Sequence, residues 1–105
     1  MISRIWHGWT TPALADVYEG LLKEEIFVGI FSRQIPGLRG IQLLRRDVGD
    51  EVEFITIMRF DNLDAVRKFA GEDYEVAVVP VAARALLAHF DQRSQHYEVK
   101  SELAS

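Results

Sequence analysis

The chain has 105 residues, no cysteine and a net charge of −4, which excludes disulfides and thiolate metal sites and argues against nucleic-acid binding. With 49% hydrophobic and 27% charged residues, it reads as one domain over 1–105, with a core at 2–99 and a loose tail at 100–105. Neither a signal-peptide pattern nor a membrane-length apolar run is found, so we expect a cytoplasmic protein without a membrane partner.

A strand is predicted at the start of the chain, where β-branched and aromatic residues dominate positions 2–9. Regular alternation would place two sets of side chains on opposite faces of this strand. One face would carry Ile5, His7 and Trp9, and the other Arg4 and Trp6. This short stretch would therefore supply one indole ring to each face of a sheet.

A long helix is predicted after this strand. Thr11 can cap its first turn and Pro12 suits the first helical position, so we expect a helix from about Pro12 to Phe31. Apolar residues recur at helical spacing along it. The last two turns are apolar almost all round, which requires cover on more than one side. The turn Ile35–Gly37 follows the helix.

Two strands joined by a hairpin are predicted next, over Leu38–Arg46 and Glu51–Phe60, with loop residues at Asp47–Asp50. The second strand shows the clearer alternation. One of its faces would carry Phe54, Thr56, Met58 and Phe60, and the other Glu53, Ile55, Ile57 and Arg59. Both faces hold large apolar groups, so the sheet should be covered on both sides.

Helices and a final strand are predicted for the remainder of the chain. Asp61-Asn62 can cap a helix over Leu63–Ala70. Helical patterns continue over Glu72–Val79, which Pro80 ends, and over Val81–Ala88, and the last strand is expected at Phe90–Val99. Its polar alternation is typical of a strand that lies at an edge of the sheet or is swapped onto a partner.

The order strand, helix, strand, strand, helices, strand predicts an α+β fold of the ferredoxin-like type. Such a fold has a four-stranded antiparallel sheet with helices on one face. The opposite face would expose an apolar patch in a monomer. We therefore expect a homodimer with two such faces packed together and Trp6, Ile55 and Ile57 at the interface.

Three stretches carry a resemblance to a known family: RIWHGWTTP, IPGLRG and LLRRDVGDEVEFITIMRFDNLDAVRKFAGEDY. Together they resemble the antibiotic biosynthesis monooxygenase superfamily, the dimeric α+β barrels, over residues 2 to 99. The resemblance implies a pocket between sheet and helices in each subunit. It also implies activities such as the cofactor-free oxygenation of aromatic polyketides, or heme degradation.

The heme-degrading members resemble one another at a few characteristic residues. These residues are largely replaced in this chain. The family's asparagine position falls near His7 or Gly8, and its tryptophan position falls on Phe60. Its heme-ligating histidine position falls near Val79, and no histidine occurs between Asp61 and Ala88. Because heme needs an axial ligand, commonly histidine, heme is the less favoured cofactor.

His7 is the candidate catalytic residue. If its face of the first strand lies under the helices, His7 would be a neutral imidazole in an apolar pocket and could act as a base. The alternative is a histidine that makes one hydrogen bond beside the core. With this face assignment, the residues expected to line a pocket for a flat ligand are Trp9, Phe54, Met58, Phe60 and Tyr74.

No cofactor and no metal site are predicted. The histidines and acids near the C-terminus lack metal-site spacing, and no glycine-rich phosphate loop is found. Four arginines could hold a ligand carboxylate or phenolate, or could simply pair with surface acids. They are Arg39, Arg45, Arg46 and Arg59.

Two functions remain open from the sequence. The first is a cofactor-independent monooxygenase that acts on a small aromatic or polycyclic substrate, with the substrate's own carbanion as the source of electrons. The second is a non-catalytic dimeric barrel that binds a small hydrophobic molecule or serves as an auxiliary protein. They differ in whether polar groups converge on an open pocket.

Overall fold

Five strands form one antiparallel sheet in the computed structural model, which describes residues 1–104. They are β1 (Ile2–Thr10), β2 (Leu38–Asp47), β3 (Val52–Phe60), β4 (His89–Phe90) and β5 (Gln95–Glu98). The order is β2-β3-β1-β4, and β5 also pairs with β1. The two short strands β4 and β5 thus both lie beside β1, where the predicted four-stranded sheet has a single fourth strand. The predicted α+β class is confirmed.

The helices lie on one face of this sheet and are α1 (Pro12–Leu21), α2 (Phe27–Ser32), α3 (Leu63–Ala70) and α4 (Val81–Arg84). A π-helical turn at Leu22–Ile26 joins α1 to α2, so the predicted long helix is one continuous rod with a wider turn inside it. Thr11 makes no side-chain cap, whereas Asn62 Oδ1 accepts a hydrogen bond from the Ala65 N–H at 2.9 Å. No helix within residues 1–104 is long and apolar enough to span a membrane.

The predicted helix over Glu72–Val79 is wrong. Gly71, with φ of +91°, ends α3, and the following main chain pairs with a later segment instead of with itself. The Ala77 N–H donates to the Gln92 carbonyl at 2.9 Å, and the Ser94 N–H donates to the Glu75 carbonyl at 2.6 Å. The side chains of this segment do have helical spacing. Its main-chain groups, however, form hydrogen bonds with residues 92 and 94 instead of with one another.

The last helix and the last strand are shorter than predicted, for a related reason. Residues 85–88 leave the helical path, and the Ala88 N–H donates to the Trp9 carbonyl at 2.8 Å. The predicted strand Phe90–Val99 is interrupted at 91–94, where the chain turns to meet the segment after α3. The C-terminal third is therefore held by contacts with β1 and with residues 75–77.

The strand register decides which side chains face the helices. Trp6 lies opposite Thr56 in β3, and His7 lies opposite Ile55. The even-numbered residues of β1 share the helix-covered face with Phe54, Met58 and Phe60, as the burial of Ile2, Arg4, Gly8 and Thr10 shows. The face assignment expected for β1 is therefore reversed. The odd-numbered residues form the open face, defined by Ile5, His7, Trp9, Ile55 and Ile57.

The core under the helices is divided into two clusters. The first core cluster consists of Ile2, Met58, Phe60, Ala65, Val66 and Phe69, so it joins the sheet to α3. The second core cluster consists of Ala15, Tyr18, Leu22, Val52, Phe54 and Ala83, so it joins the sheet to α1 and α4. Space remains between these two clusters.

Candidate ligand-binding site

The space between the two core clusters is a cavity with about 60 Å³ of room for the centres of water-sized molecules; the volume is about 520 Å³ when all space between the atoms and the solvent at its open mouth are counted. We call it the sheet–helix cavity. Met58 and Phe69 of the first core cluster form one wall, and Tyr18, Leu22 and Ala83 of the second form the other. Its mostly apolar lining is typical of sites for small organic molecules.

The π-helical turn orients the helical wall of the cavity. In an unbroken α-helix, nine residues at about 100° each would turn Phe27 about 180° away from Tyr18. The wider turn absorbs one residue, so Phe27 and Ile30 line the cavity together with Tyr18, Leu22 and Ile26. This explains why the last turns of the rod are apolar on more than one side.

Residues 78–80 of the segment after α3 cover another part of the cavity. Val78, Val79 and Pro80 are in its lining, although this segment has no regular secondary structure. Its main chain is held by the pairing with residues 92–94 and by the side chain of Arg4. The predicted helical pattern here supplied apolar side chains, and the extended backbone presents them to the cavity.

Trp6 is a wall of the cavity and not a part of the open face. Its Nε1–H donates to the Asp91 carbonyl at 2.8 Å, and its ring lies 5.9 Å from that of Phe90. Gly8 makes room for the indole, since a Cβ atom there would lie 2.9 Å from Trp6 Cη2. The prediction that Trp6 anchors a dimer interface is therefore corrected, because the register turns it toward the helices.

Arg4 is the only cationic side chain in the lining of the sheet–helix cavity, and it is 3% exposed. Its Nη1 donates to the Tyr74 carbonyl and to His96 Nε2 at 3.0 Å, and its Nη2 donates to the Val76 carbonyl at 3.3 Å. Burial lowers the pKa of Arg4 to about 10, so the guanidinium stays charged at neutral pH. Arg4 was not among the functional residues predicted from the sequence.

His96 stands behind Arg4 as a neutral acceptor. A guanidinium has no acceptor atom, so His96 Nε2 must receive the hydrogen bond and the ring proton must lie on Nδ1. His96 Nδ1 is buried and has no partner among residues 1–104. Burial and the neighbouring Arg4 charge lower the pKa of His96 from its ordinary value.

The predicted pocket residues of β3 and Tyr74 lie on the helix side, but only Met58 lines the cavity. Phe54 and Phe60 are fully buried, with their rings 4.8 Å from Tyr18 and 5.9 Å from Phe69 respectively. Tyr74 contributes its main-chain carbonyl to Arg4, and its ring packs edge-on against His96 at 5.0 Å. These residues support the walls instead of forming them.

His7 and Trp9 lie on the open face, away from the cavity. His7 Nδ1 is 2.9 Å from Asp91 Oδ2, and the Trp9 ring stacks on His89 at 4.5 Å. The expected grouping of His7 and Trp9 with Met58 is therefore corrected by the register of β1. A catalytic role for His7 stays a prediction, and it would have to act at the open face.

The arginines that the sequence singled out are mostly engaged at the surface. Arg39 pairs with Asp61 at 2.6 Å, Arg45 with Asp16 at 2.8 Å and Arg46 with Glu53 at 2.6 Å. Among residues 1–104, no group of three histidines or acids could hold a metal ion.

Comparison with solved structures identifies the class of fold. No family model and no curated protein matches the chain. A proposed antibiotic biosynthesis monooxygenase from Bacillus cereus matches with a TM-score of 0.70 and 13% identity, over 99% of this chain and 97% of that one. The chain therefore has the fold of these monooxygenases, and the predicted resemblance is confirmed at the level of the fold.

Two further structures carry different activities on this fold. SnoaB, a cofactor-independent oxygenase from Streptomyces nogalater, matches with a TM-score of 0.63 and 18% identity, over 99% of this chain and 98% of that one. MhuD, a heme-degrader from Mycobacterium tuberculosis whose structure holds two hemes, matches with a TM-score of 0.60 and 21% identity, over 99% and 100%. Because one fold carries both activities, the shared fold does not by itself give the activity of this chain.

Gly8→Ala should displace the Trp6 indole, because the added methyl would meet Trp6 Cη2 and Leu87 Cδ2 at 2.9 Å. We expect a loss of about 1–3 kcal/mol in the free energy of unfolding and a shift of Trp6 emission, measured in a Trp9→Phe background. Gly20→Ala is the matched control, since nothing lies within 4 Å of its added Cβ. Unchanged emission from the Gly8 variant would contradict the assigned Trp6 position.

The depressed pKa of His96 predicts a pH dependence of stability. The unfolded state binds a proton below about pH 6.5, whereas the folded state resists it because the ring is partly buried and Arg4 faces it, and Glu75 opposes these two effects only in part. Stability should therefore be retained above that pH and should fall as the pH drops through it. Urea unfolding between pH 5 and 8 measures the free energy of unfolding as a function of pH. The variant His96→Gln should reduce the slope of this free energy against pH. An equal slope in both proteins would contradict it.

Proposed function

We propose that the chain binds a flat hydrophobic molecule in the sheet–helix cavity and oxygenates it without a cofactor. The observation that carries this proposal is the open space between two otherwise close-packed core clusters. Protein interiors are packed as densely as organic crystals, and an unfilled core lowers stability. An apolar opening at this place in the core is therefore best explained by a ligand.

The lining supports an aromatic ligand. Trp6, Tyr18, Phe27 and Phe69 offer ring surfaces, and ring contacts favour flat partners. The polar side chains of the lining are few: Arg4, Tyr18, Thr56 and Ser94, besides the Trp6 N–H that donates to the Asp91 carbonyl. An apolar site with a small number of polar groups can fix the orientation of a ligand while excluding water.

The proposed reaction needs only the substrate and molecular oxygen. A methylene group flanked by aromatic rings loses a proton to give a stabilised carbanion, which donates electrons to O₂. The balanced change is R₂CH₂ + O₂ → R₂C=O + H₂O, so one oxygen atom enters the product and the other leaves as water. The substrate is oxidised and oxygen is reduced. The fold shared with SnoaB, a cofactor-independent oxygenase, supports this chemistry.

The cavity does not fit heme. None of its lining residues is histidine or cysteine. Burial raises the pKa of the Tyr18 hydroxyl, which disfavours the phenolate that would bind iron. No step of the proposed reaction therefore uses heme.

A non-catalytic binding protein is the second candidate function. The lining of the cavity contains no aspartate, glutamate or histidine that could serve as a general base. An oxygenase with this lining must act on a substrate that ionises readily by itself. A binding protein has no such requirement, so turnover has to be measured separately from binding.

Oxygen uptake with anthrone tests the proposed reaction, because anthrone has a methylene group between two aromatic rings. We expect protein-dependent uptake of one O₂ per anthroquinone-type carbonyl formed, above the rate without protein. Thr56→Phe should reduce it at least tenfold by filling the cavity, whereas Val28→Phe, at an exposed position of α2, should not. Binding without uptake would favour the binding-protein function.

The variant His7→Ala tests, in the same assay, on which face of the sheet the reaction takes place. If the cavity is the reacting site, turnover should continue, because His7 lies on the open face and is hydrogen-bonded to Asp91. If turnover is abolished while the fold and the binding of anthrone are kept, the reaction takes place at the open face. That outcome would contradict the cavity as the site of chemistry.

We also propose that the open face packs against a second copy of the chain. Ile5, Ile55 and Ile57 are only partly buried there, and Leu44 is 40% exposed. Ile57→Lys should therefore convert a dimer to a monomer, because it would bury an unpaired charge in the interface. Native mass spectrometry measures the state directly. A wild-type monomer would contradict the proposal, and Val28→Lys is the exposed control.

A further inference from the structure

We propose that the ligand of the sheet–helix cavity is a hydrophobic anion whose negative group binds Arg4. This inference rests on the proposed function, since it names the chemical class of the molecule that the cavity would take. It applies equally to an ionised substrate and to a ligand that is bound without reaction.

The charge of Arg4 is not balanced by its contacts. The acceptors that it reaches are the Tyr74 carbonyl, the Val76 carbonyl and His96 Nε2, and all three are neutral. Arg4 Nε takes part in none of these contacts. The nearby Phe69 ring, 5.5 Å from Arg4 Cζ, adds only a weak cation–π interaction.

No carboxylate within residues 1–104 lies at ion-pair distance from Arg4. The acids of the adjacent segment are engaged elsewhere, because Arg93 binds Asp73 at 3.2 Å and Glu75 at 3.0 Å. The buried arginine is therefore without an acidic partner, while several exposed arginines have one. Buried charges in proteins are usually paired, so this arrangement leaves a place for an external anion.

The surroundings make the end of the cavity near Arg4 electropositive. His96 cannot supply a negative charge, and the remaining polar side chains of the lining, Tyr18, Thr56 and Ser94, are neutral. A carboxylate, sulfonate or ionised enol would gain a charge-assisted hydrogen bond from the guanidinium. The rings of Trp6 and Phe69 would cover the apolar body of the same molecule.

A purely structural role for Arg4 is the alternative. The guanidinium ties β1 to the segment that contains Tyr74 and Val76, and this role explains its Nη contacts. Such a tether requires hydrogen-bond donors but no charge, and it does not require a place in the lining of a cavity. The two roles therefore differ in how the protein treats a charged and an uncharged ligand of the same shape.

Binding of 2-naphthoate and 2-naphthamide by the full chain at pH 7 tests the inference. These probes have the same rings and nearly the same shape, but only the naphthoate is negatively charged. We expect isothermal titration calorimetry to give at least about tenfold tighter binding of the naphthoate, since a charged acceptor strengthens each hydrogen bond. Equal binding, or preference for the amide, would overturn the inference and leave the proposed cavity intact.

Variants of the chain then test whether Arg4 causes the preference for naphthoate. Arg4→Gln keeps hydrogen-bond donors but removes the charge, so the preference for naphthoate should be lost. Met58→Leu is the matched control from the apolar wall, and it should change both affinities by a similar factor. If Arg4→Gln does not fold, Arg4→Lys keeps the charge and should retain a preference, although a smaller one. A preference that survives Arg4→Gln would overturn the role of Arg4.

The failure of the inference and the failure of the proposed function are distinguishable. If neither probe binds to the wild-type chain, the cavity is not a site for flat hydrophobic molecules and both proposals fall. If both bind equally, only the anion preference falls. If naphthoate is preferred but anthrone is not oxygenated, the inference stands and the chain is a binding protein for hydrophobic anions.

Discussion

The buried guanidinium of Arg4 is the interaction on which the arrangement of the site depends. It joins β1 to the main chain of residues 74 and 76 and to His96 in β5. The segment after α3 has no helix or sheet of its own, so its carbonyl groups need donors from elsewhere. Because Arg4 supplies them, Val78–Pro80 are held over the cavity, and the same side chain brings a positive charge into it.

A second constraint is the division of the core. The wider π-helical turn at Leu22–Ile26 redirects the helical rod, so that its later apolar residues face the sheet with the earlier ones. Gly8 leaves the Trp6 ring room on the strand beneath them. The π-helical turn and Gly8 thus shape the two sides of the space between the core clusters.

The two faces of the sheet have different chemical characters. The helix-covered face holds Arg4 and Trp6 at the apolar sheet–helix cavity, whereas the open face holds His7 and Asp91 next to partly buried isoleucines. The fold is shared with SnoaB and MhuD, whose activities differ, so the fold alone does not select a reaction. In this chain the cavity lining contains an arginine but no histidine, aspartate or glutamate.

The sequence by itself determined the elements whose signals are local. The strands β1 and β3, the helix α3 with its Asn62 cap, and the class of fold follow from alternation, spacing and capping chemistry. The tertiary structure alone decided which face of β1 lies under the helices. Alternation gives two sets of side chains, but both faces of this sheet are apolar, so only the pairing of Trp6 with Thr56 selects the buried set. The role of Arg4 and the extended path of residues 72–79 could not be predicted from local patterns. Their hydrogen-bond partners, His96 and residues 92–94, lie far away along the chain.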